Sequence, residues 1–138
     1  MASKMTLALL STWKNDDNNN RHCCKWEGIE CNNETGHVNM IDLRGSFRHY
    51  LSGDIYATIT SLLELQNMEY LDLSYNYFSG QIPEHIGYLK NLWYFNLSNS
   101  SFAGGIPYKL GNLSKLEYLD LRGNSLDRAI LPQLGMLT

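Results

Sequence analysis

Two aspartates, Asp72 and Asp120, are the residues whose type and spacing could perform acid–base chemistry. They occupy the same place in two copies of "YLDL", which start at Tyr70 and at Tyr118. On strands two steps apart in a parallel sheet, their carboxylates would be separated by about 9.5 Å. The acid and base of an inverting glycosidase are about 6.5–9.5 Å apart, so the predicted spacing is near the upper limit.

The rest of the sequence argues against an enzyme. The strands that carry these aspartates predict an open face, without a pocket that would make one carboxylate an acid and the other a base. No Ser-His-Asp arrangement stands out, and no glycine-rich phosphate loop is present. The histidines fall in the cap, an insertion or the return segments: His22, His37, His49 and His85. We therefore predict no catalytic residue and no cofactor.

Three cysteines lie together in "HCCKWEGIEC", where Cys23 and Cys24 are adjacent and Cys31 follows. Adjacent cysteines rarely bond to each other, because an unstrained disulfide needs Cα atoms about 4.4–6.8 Å apart. The simplest assignment is a Cys24–Cys31 disulfide with Cys23 unpaired. A zinc site built from His22 and the three cysteines is the alternative, although two consecutive cysteines seldom reach one tetrahedral ion. We predict no metal.

A regular sequence repeat provides the elements that must position these side chains. Segments 70–89, 94–113 and 118–137 begin 24 residues apart and spell similar sequences. Their units approximate the pattern L-x-x-L-x-L-x-x-N-x-L, with Ser100 in the asparagine place of the middle unit. A fixed period of this length is typical of stacked repeats, in which a short strand is followed by a turn and a return segment. Because one unit cannot bury its apolar face alone, the units must stack into one continuous core. The leucines that open the units are evenly spaced, at Leu65, Leu89, Leu113 and Leu137.

An irregular unit precedes these three. Ile41 matches Leu71 and Leu51 matches Phe78, but the two offsets differ and both exceed the regular period. Insertions therefore interrupt the repeat in this unit. We predict a partial N-terminal cap over residues 1–37 and four repeats over residues 38–138.

The outward face of the strands is the candidate binding surface. Period-two alternation turns Leu71 and Leu73 inward and leaves the residues between them exposed. Tyrosine and tryptophan are enriched at binding hot spots, although tyrosine also favours strands that bind nothing. We expect the aspartates of this face to be solvated. The predicted surface consists of Tyr70, Asp72, Trp93, Tyr94, Asn96, Tyr118, Asp120 and Arg122.

The composition restricts the classes of partner. The net charge is −3 and no basic stripe is present, so nucleic acid is not an expected partner. No apolar run approaches the roughly 18 residues of a membrane span. The apolar run 7–10 is too short for the core of a signal peptide, so no export signal is visible. Asn-x-Ser/Thr sites nevertheless indicate glycosylation at Asn33, Asn96, Asn99 and Asn112.

These motifs resemble a known family. "LSYNYFSGQIPEHIGYL" resembles the plant-specific class of leucine-rich repeats, and "LLSTW" with "CCKWEGIEC" resembles the N-terminal cap of plant extracellular receptors. The stretch "NNETGHVNMIDLRG" is similar to receptor-like proteins that sense microbial elicitors. The resemblance implies an α/β solenoid, wound as a right-handed superhelix. Short parallel strands would line its concave face, helical turns its convex face, and an extra strand would form around "SGQIP".

The resemblance also implies a location, a set of partners and a cysteine pairing. The parent protein would lie at the plant cell surface and recognise a peptide, a protein or a partner receptor. In the family Cys24 would pair with Cys31, and Cys23 would pair with an upstream cysteine that this sequence lacks.

Three functions follow from the resemblance. The first is a non-enzymatic recognition module of an immune or developmental receptor. The second is an inhibitor of a secreted cell-wall hydrolase, because polygalacturonase-inhibiting proteins share the repeat and the cap. The third is a decoy or co-receptor fragment that associates with a full-length receptor. The sequence stops after the first leucine of a fifth unit without a polar C-terminal cap, so we also expect possible self-association through this end.

Overall fold

The computed structural model describes residues 23–127. The expectations for residues 1–22, which include His22, and for residues 128–138, which include the C-terminal end, lie outside the described residues. The strands in chain order are β1 (Ile29–Cys31), β2 (Val38–Asp42), β3 (Ser52–Asp54), β4 (Tyr70–Asp72), β5 (Tyr77–Ser79), β6 (Tyr94–Asn96), β7 (Ala103–Gly104), β8 (Tyr118–Asp120) and β9 (Ser125–Leu126). The helical segments are α1 (Ile55–Leu62) and short 3-10 turns at Cys23–Lys25, Glu84–Tyr88 and Tyr108–Asn112.

One sheet runs through all the units, in the order β1-β2-β4-β6-β8. Strand β1 is antiparallel to β2, and the other neighbours are parallel. The repeat letters stay in register, because Leu71 pairs with Phe95 and Phe95 with Leu119. Leu71 and Phe95 are fully buried, so the inner face of the sheet is the core that the alternation predicts. The predicted solenoid of leucine-rich repeats is confirmed.

The return segments begin where the sequence restricts the backbone. Pro83 and Pro107 precede the two later 3-10 turns with extended backbone angles, as expected for residues that introduce a helical turn. The first unit lacks this proline, and α1 begins instead with Asp54 as its N-cap, whose Oδ1 accepts a hydrogen bond from the amide of Tyr56 at 2.9 Å. Neighbouring turns pack closely, since a Cβ on Gly87 would lie 2.6 Å from the carbonyl oxygen of Lys109.

Asparagine side chains hold the turn after the strand in two of the units. Nδ2 of Asn76 donates to the carbonyls of Leu43 and Leu73 at 3.0 and 2.9 Å, and its Oδ1 accepts from the amide of Leu51 at 2.7 Å. Asn124 repeats this arrangement two units later. Ser100 occupies the equivalent place between them and donates only its hydroxyl group. These side chains therefore supply partners to backbone groups where the chain turns inside a buried layer.

The extra strands form two small parallel sheets, in which β3 pairs with β5 and β7 with β9. The predicted match of Leu51 with the apolar position of the regular units agrees with the hydrogen bonds, because the amide of Leu51 donates to Oδ1 of Asn76 as the amide of Phe102 donates to Oδ1 of Asn124. The paired strands are offset by two residues in both small sheets, since Gly53 pairs with Phe78 and Gly104 with Leu126. Backbone hydrogen bonds fix this offset, such as the bond of 2.8 Å from the amide of Tyr77 to the carbonyl of Leu51.

The N-terminal cap covers the first edge of the sheet. Cys24 and Cys31 form a disulfide with their Cα atoms 5.4 Å apart, as predicted. The bond occupies both sulfur atoms, so neither is available for the alternative zinc site. Trp26 packs against the core, and the amide of Asp42 donates to the carbonyl of Gly28 at 2.7 Å. In the part of the chain that the structure describes, no helix combines the length and hydrophobicity needed to cross a bilayer.

Candidate functional site

A row of stacked tyrosines dominates the outer face of the sheet, which is the face that points away from the core. The rings of Tyr70 and Tyr94 lie 4.0 Å apart between centroids, and those of Tyr94 and Tyr118 lie 4.4 Å apart. Their planes differ by only 6° and 4°. The stacking follows from the register, because equivalent residues on parallel strands repeat at about 4.8 Å. We call these three residues the tyrosine row.

Trp93 borders the tyrosine row at the start of β6. Its ring meets those of Tyr70 and Tyr94 edge to face, at centroid distances of 6.0 and 5.8 Å. Trp93 and Tyr118 are each 41% exposed, whereas Tyr70 and Tyr94 are half-buried. The outer face therefore offers an aromatic surface on which Trp93 and Tyr118 are the most accessible rings.

Asp72 lies buried beside the tyrosine row, and the expectation of a solvated aspartate is wrong for it. The residue has no exposed surface. Its Oδ2 accepts from the hydroxyl of Tyr94 at 3.1 Å and from Nδ2 of Asn96 at 3.4 Å. Its Oδ1 accepts from the hydroxyl and the amide of Ser74 at 2.6 and 3.0 Å. These donors replace water, so the carboxylate can be buried on the outer face.

Asp120 is only 7% exposed, and so it also departs from the expected solvated state. It forms a two-point ion pair with Arg122, with Nε–Oδ1 and Nη2–Oδ2 distances of 3.0 and 2.9 Å. The hydrogen bonds from Arg122 lower the pKa of Asp120 below its usual value. The first unit repeats this pair, since Arg44 contacts Asp42 in the same way at 2.9 and 2.8 Å.

Burial strengthens the preference of Tyr94 and Tyr118 for the protonated, neutral form. It raises the pKa of the Tyr94 hydroxyl to about 12, and burial also raises the pKa of Tyr118. At neutral pH the hydroxyl of Tyr94 therefore keeps its proton and donates a hydrogen bond to Oδ2 of Asp72.

The predicted site residues separate into two groups. Trp93, Tyr118 and Arg122 are exposed and can contact a ligand, as can the free edges of the half-buried Tyr70 and Tyr94. The polar residues Asp72, Asn96 and Asp120 are buried and hold the aromatic and arginine side chains in place. Their oxygen atoms are already engaged by protein donors, which disfavours the acid–base role that the spacing first indicated.

The site predicted from the sequence did not include the ion pair between Asp42 and Arg44 in the first unit. Asp42 is the last residue of β2, Arg44 follows just beyond it, and the Arg44 side chain is 58% exposed. The signal is the motif "DLRG", which occurs at residues 42–45 and again at 120–123. Identical motifs at equivalent positions of two units predict the same local ion pair.

The four predicted glycosylation sites differ in accessibility. Asn33, Asn99 and Asn112 are exposed. Asn96 is only 8% exposed, and its Nδ2 lies 3.4 Å from both Asp72 and the hydroxyl of Tyr94. A glycan on Nδ2 of Asn96 would break these contacts, so burial disfavours Asn96 as an acceptor.

A shallow groove of about 520 Å³ lies among the return segments, away from the tyrosine row. The rings of Tyr56 and His85 contact each other there at 4.6 Å, and Lys109 pairs with Glu84 at 3.4 Å. Tyr88 lines this groove and is 56% exposed. This groove was not predicted from the sequence.

Comparison with known proteins agrees with this geometry. Residues 1–32 match the model of the leucine rich repeat N-terminal domain. Residues 67–89, 91–113 and 115–137 match the leucine rich repeat model, and together they make up half of the chain. A parallel stack of strand–turn–helix units with an N-terminal cap defines a solenoid repeat protein. The chain belongs to the leucine-rich repeat family.

Plant receptors and receptor-like proteins are among the similar proteins. The chain is 46% identical over 92 residues to receptor-like protein EIX1 of Solanum lycopersicum, a match that covers 59% of this chain and 8% of that protein. Its fold is similar to that of PEPR1 in PEPR1–AtPEP1, with a TM-score of 0.81 and 31% identity over 99% of this chain and 18% of that one.

It is also similar to the plant peptide hormone receptor RGFR1 in complex with RGF2, with a TM-score of 0.67 and 34% identity. That match covers 83% of this chain and 20% of that one. The chain thus spans a small part of the length of these relatives. They support a receptor-type recognition module.

Proposed function

We propose that the chain is a non-enzymatic module of a plant cell-surface receptor and binds an extended segment of a peptide or protein on its outer face. The observation that carries this proposal is the tyrosine row, which places three rings in one plane-parallel stack. The similarity to a receptor-like protein and to a peptide hormone receptor supports the same class of function.

The exposed aromatic side chains supply the binding energy in this proposal. Tyr94, Tyr118 and Trp93 are of the types that dominate binding hot spots. Their rings already contact each other in the unbound chain, so little side-chain entropy is lost when a ligand covers them. Preorganisation of this kind favours a tight complex without requiring a deep pocket.

The buried polar residues position the aromatic rings and the exposed arginine beside them. Asp72 fixes the hydroxyl of Tyr94, and Asp120 fixes the guanidinium of Arg122. The Arg122 side chain is 86% exposed, so its remaining N–H groups can donate to a backbone carbonyl or an acidic group of the ligand.

Features of the cap and the surface support action outside the cell. The Cys24–Cys31 disulfide is of a kind that persists in oxidising compartments. Asn33, Asn99 and Asn112 are exposed within glycosylation motifs that the secretory pathway reads. We propose that the parent protein presents this module at the cell surface.

The proposal is tested by capture from plant apoplastic fluid and solubilised membranes with the full, glycosylated chain as bait. The double variant Tyr94→Ala/Tyr118→Ala should lose the proteins or peptides that the wild-type chain retains. The matched control Tyr88→Ala/Tyr108→Ala removes two exposed tyrosines outside the tyrosine row and should retain them. Equal retention by both double variants contradicts the proposal, provided that circular dichroism shows both to be folded.

Two further measurements separate the alternatives. An inhibitor of a cell-wall hydrolase would slow pectin hydrolysis by the captured fraction, whereas a recognition module would not. A decoy that acts by association would elute above monomer mass in size-exclusion chromatography with light scattering, alone or with a receptor ectodomain.

A further inference from the structure

Two exposed glutamates flank Trp93 at the edge of the outer face. The amide of Trp93 donates to the carbonyl of Glu69 at 2.9 Å, and the amide of Glu117 donates to the carbonyl of Trp93 at 2.8 Å. The three residues therefore occupy equivalent positions on adjacent strands, with Glu69 and Glu117 about 9.6 Å apart along the stack. Both glutamates are exposed, so their carboxylates are accessible.

The charges of the outer face do not balance. Arg44 and Arg122 are each engaged in a two-point pair with the aspartate of their own unit. Within residues 23–127, neither Glu69 nor Glu117 has a cation within salt-bridge distance. The aromatic edge of the face therefore carries an uncompensated negative charge.

Trp93 adds a second attraction for a cation at the same place. The face of an indole attracts a cation more strongly than any other aromatic side chain. Trp93 is 41% exposed, and Tyr70 and Tyr94 hold its ring edge to face. A lysine or arginine head group placed on this ring would lie within reach of carboxylates on both neighbouring strands.

We propose that the ligand of the outer face is a basic peptide segment, with one lysine or arginine side chain resting on Trp93 between Glu69 and Glu117. The segment crosses the strands along the tyrosine row, which contacts its apolar part. This inference rests on the proposed function and names the chemistry of the ligand. Charge complementarity selects the occupant, because the accessible unpaired charges of this edge are both acidic.

The experiment is the selection of random displayed peptides on the full chain, followed by titration of synthetic copies. The selected peptides should contain a lysine or arginine beside an apolar or aromatic stretch. Replacing that basic residue by norleucine should weaken binding about tenfold, as expected for a cation–π contact and exposed ion pairs. The variants Glu69→Gln/Glu117→Gln and Trp93→Leu should each weaken binding to a similar extent, and high salt should weaken wild-type binding.

A control variant with the same loss of charge is Glu34→Gln/Glu64→Gln. Both residues are exposed and belong to other parts of the chain, so affinity should be unchanged. Because all four glutamates are exposed, neither double variant should unfold the protein, which urea denaturation checks.

The outcomes distinguish the inference from the proposed function. Two results would overturn the inference alone, as long as binding still requires Tyr94 and Tyr118. One is a set of selected peptides without an excess of basic residues. The other is equal peptide affinity of the variant Glu69→Gln/Glu117→Gln and its control Glu34→Gln/Glu64→Gln. Peptides that bind the Tyr94→Ala/Tyr118→Ala variant as well as they bind wild type would overturn the proposed function and the inference together. Failure to select any peptide would also count against both.

Discussion

The hydroxyl group of Tyr94 donates a hydrogen bond to Oδ2 of Asp72 at 3.1 Å, across the step from one repeat to the next. This bond connects the aromatic surface to a carboxylate without exposed area. It fixes the middle ring of the tyrosine row and supplies a donor to a buried charge. Stability and the proposed recognition therefore depend on the same pair of side chains.

Tyr94→Phe should destabilise the fold by about 1.5 kcal/mol, because a buried carboxylate loses one of its donors while the ring stack is kept. The free energy of unfolding in urea, followed by circular dichroism, measures this loss. The control is Tyr118→Phe, which should change stability less, because the Tyr118 hydroxyl lies 3.4 Å from an aspartate already paired with Arg122. A cycle with Asp72→Asn should show that the Tyr94 effect requires the carboxylate, and additive losses would contradict this explanation.

Asn76→Ala should cost about 3 kcal/mol, because it leaves the buried amide of Leu51 and the carbonyl of Leu43 without their side-chain partner. The side chain serves the carbonyls of Leu43 and Leu73 and the amide of Leu51. The matched variant Ser100→Ala removes one hydroxyl from the same place in the next unit and should cost only about 1 kcal/mol. Urea unfolding of both variants checks the ranking, and equal losses would show that the amide is not the main support of the turn.

The Asp120–Arg122 pair should make stability depend on pH in a defined direction. The folded state lowers the pKa of Asp120 below its ordinary value of 3.8, so the unfolded chain binds the proton more readily. The stabilisation is complete above the unfolded value and is lost as the pH falls through the lowered folded value. The difference in unfolding free energy between wild type and Asp120→Asn should therefore narrow as urea unfolding is repeated at pH values from about 7 down to about 3. Arg122→Gln should show the same trend, and a difference that does not vary with pH would contradict the assignment.

The secreted chain should carry glycans at Asn33, Asn99 and Asn112 and none at Asn96. The first three are exposed, whereas Nδ2 of Asn96 lies against Asp72 and Tyr94. Glycopeptide mass spectrometry of protein secreted from plant cells measures the occupancy of each site. Full glycan occupancy of Asn96 in folded protein would mean that Nδ2 of Asn96 is more accessible than the structure shows.

The sequence predicts the inner face of the solenoid well, because that face depends on two periodicities that are visible in the letters. Alternation within a strand turns Leu71 inward, and the constant length of the repeat brings Phe95 beside it. The cap disulfide was also predictable, since adjacency disfavours a Cys23–Cys24 bond and the family resemblance implies the Cys24–Cys31 pairing.

The outer face was harder to predict, because alternation gives the direction of a side chain and not what covers it. Asp72 points away from the core and is still buried, since donors from its own and the next unit surround the carboxylate. The two-residue offset between the paired extra strands is likewise not visible in the letters, because backbone hydrogen bonds such as that from the amide of Tyr77 to the carbonyl of Leu51 set it.

The common register of Tyr70, Tyr94 and Tyr118 has a consequence for how such a surface can evolve. Duplication of a single repeat unit would insert one more ring into the array and lengthen it by about 4.8 Å, without disturbing the rings on either side. The length of the aromatic array, and with it the reach along the proposed extended ligand, can thus grow or shrink in fixed increments through recombination between copies and without coordinated point mutations.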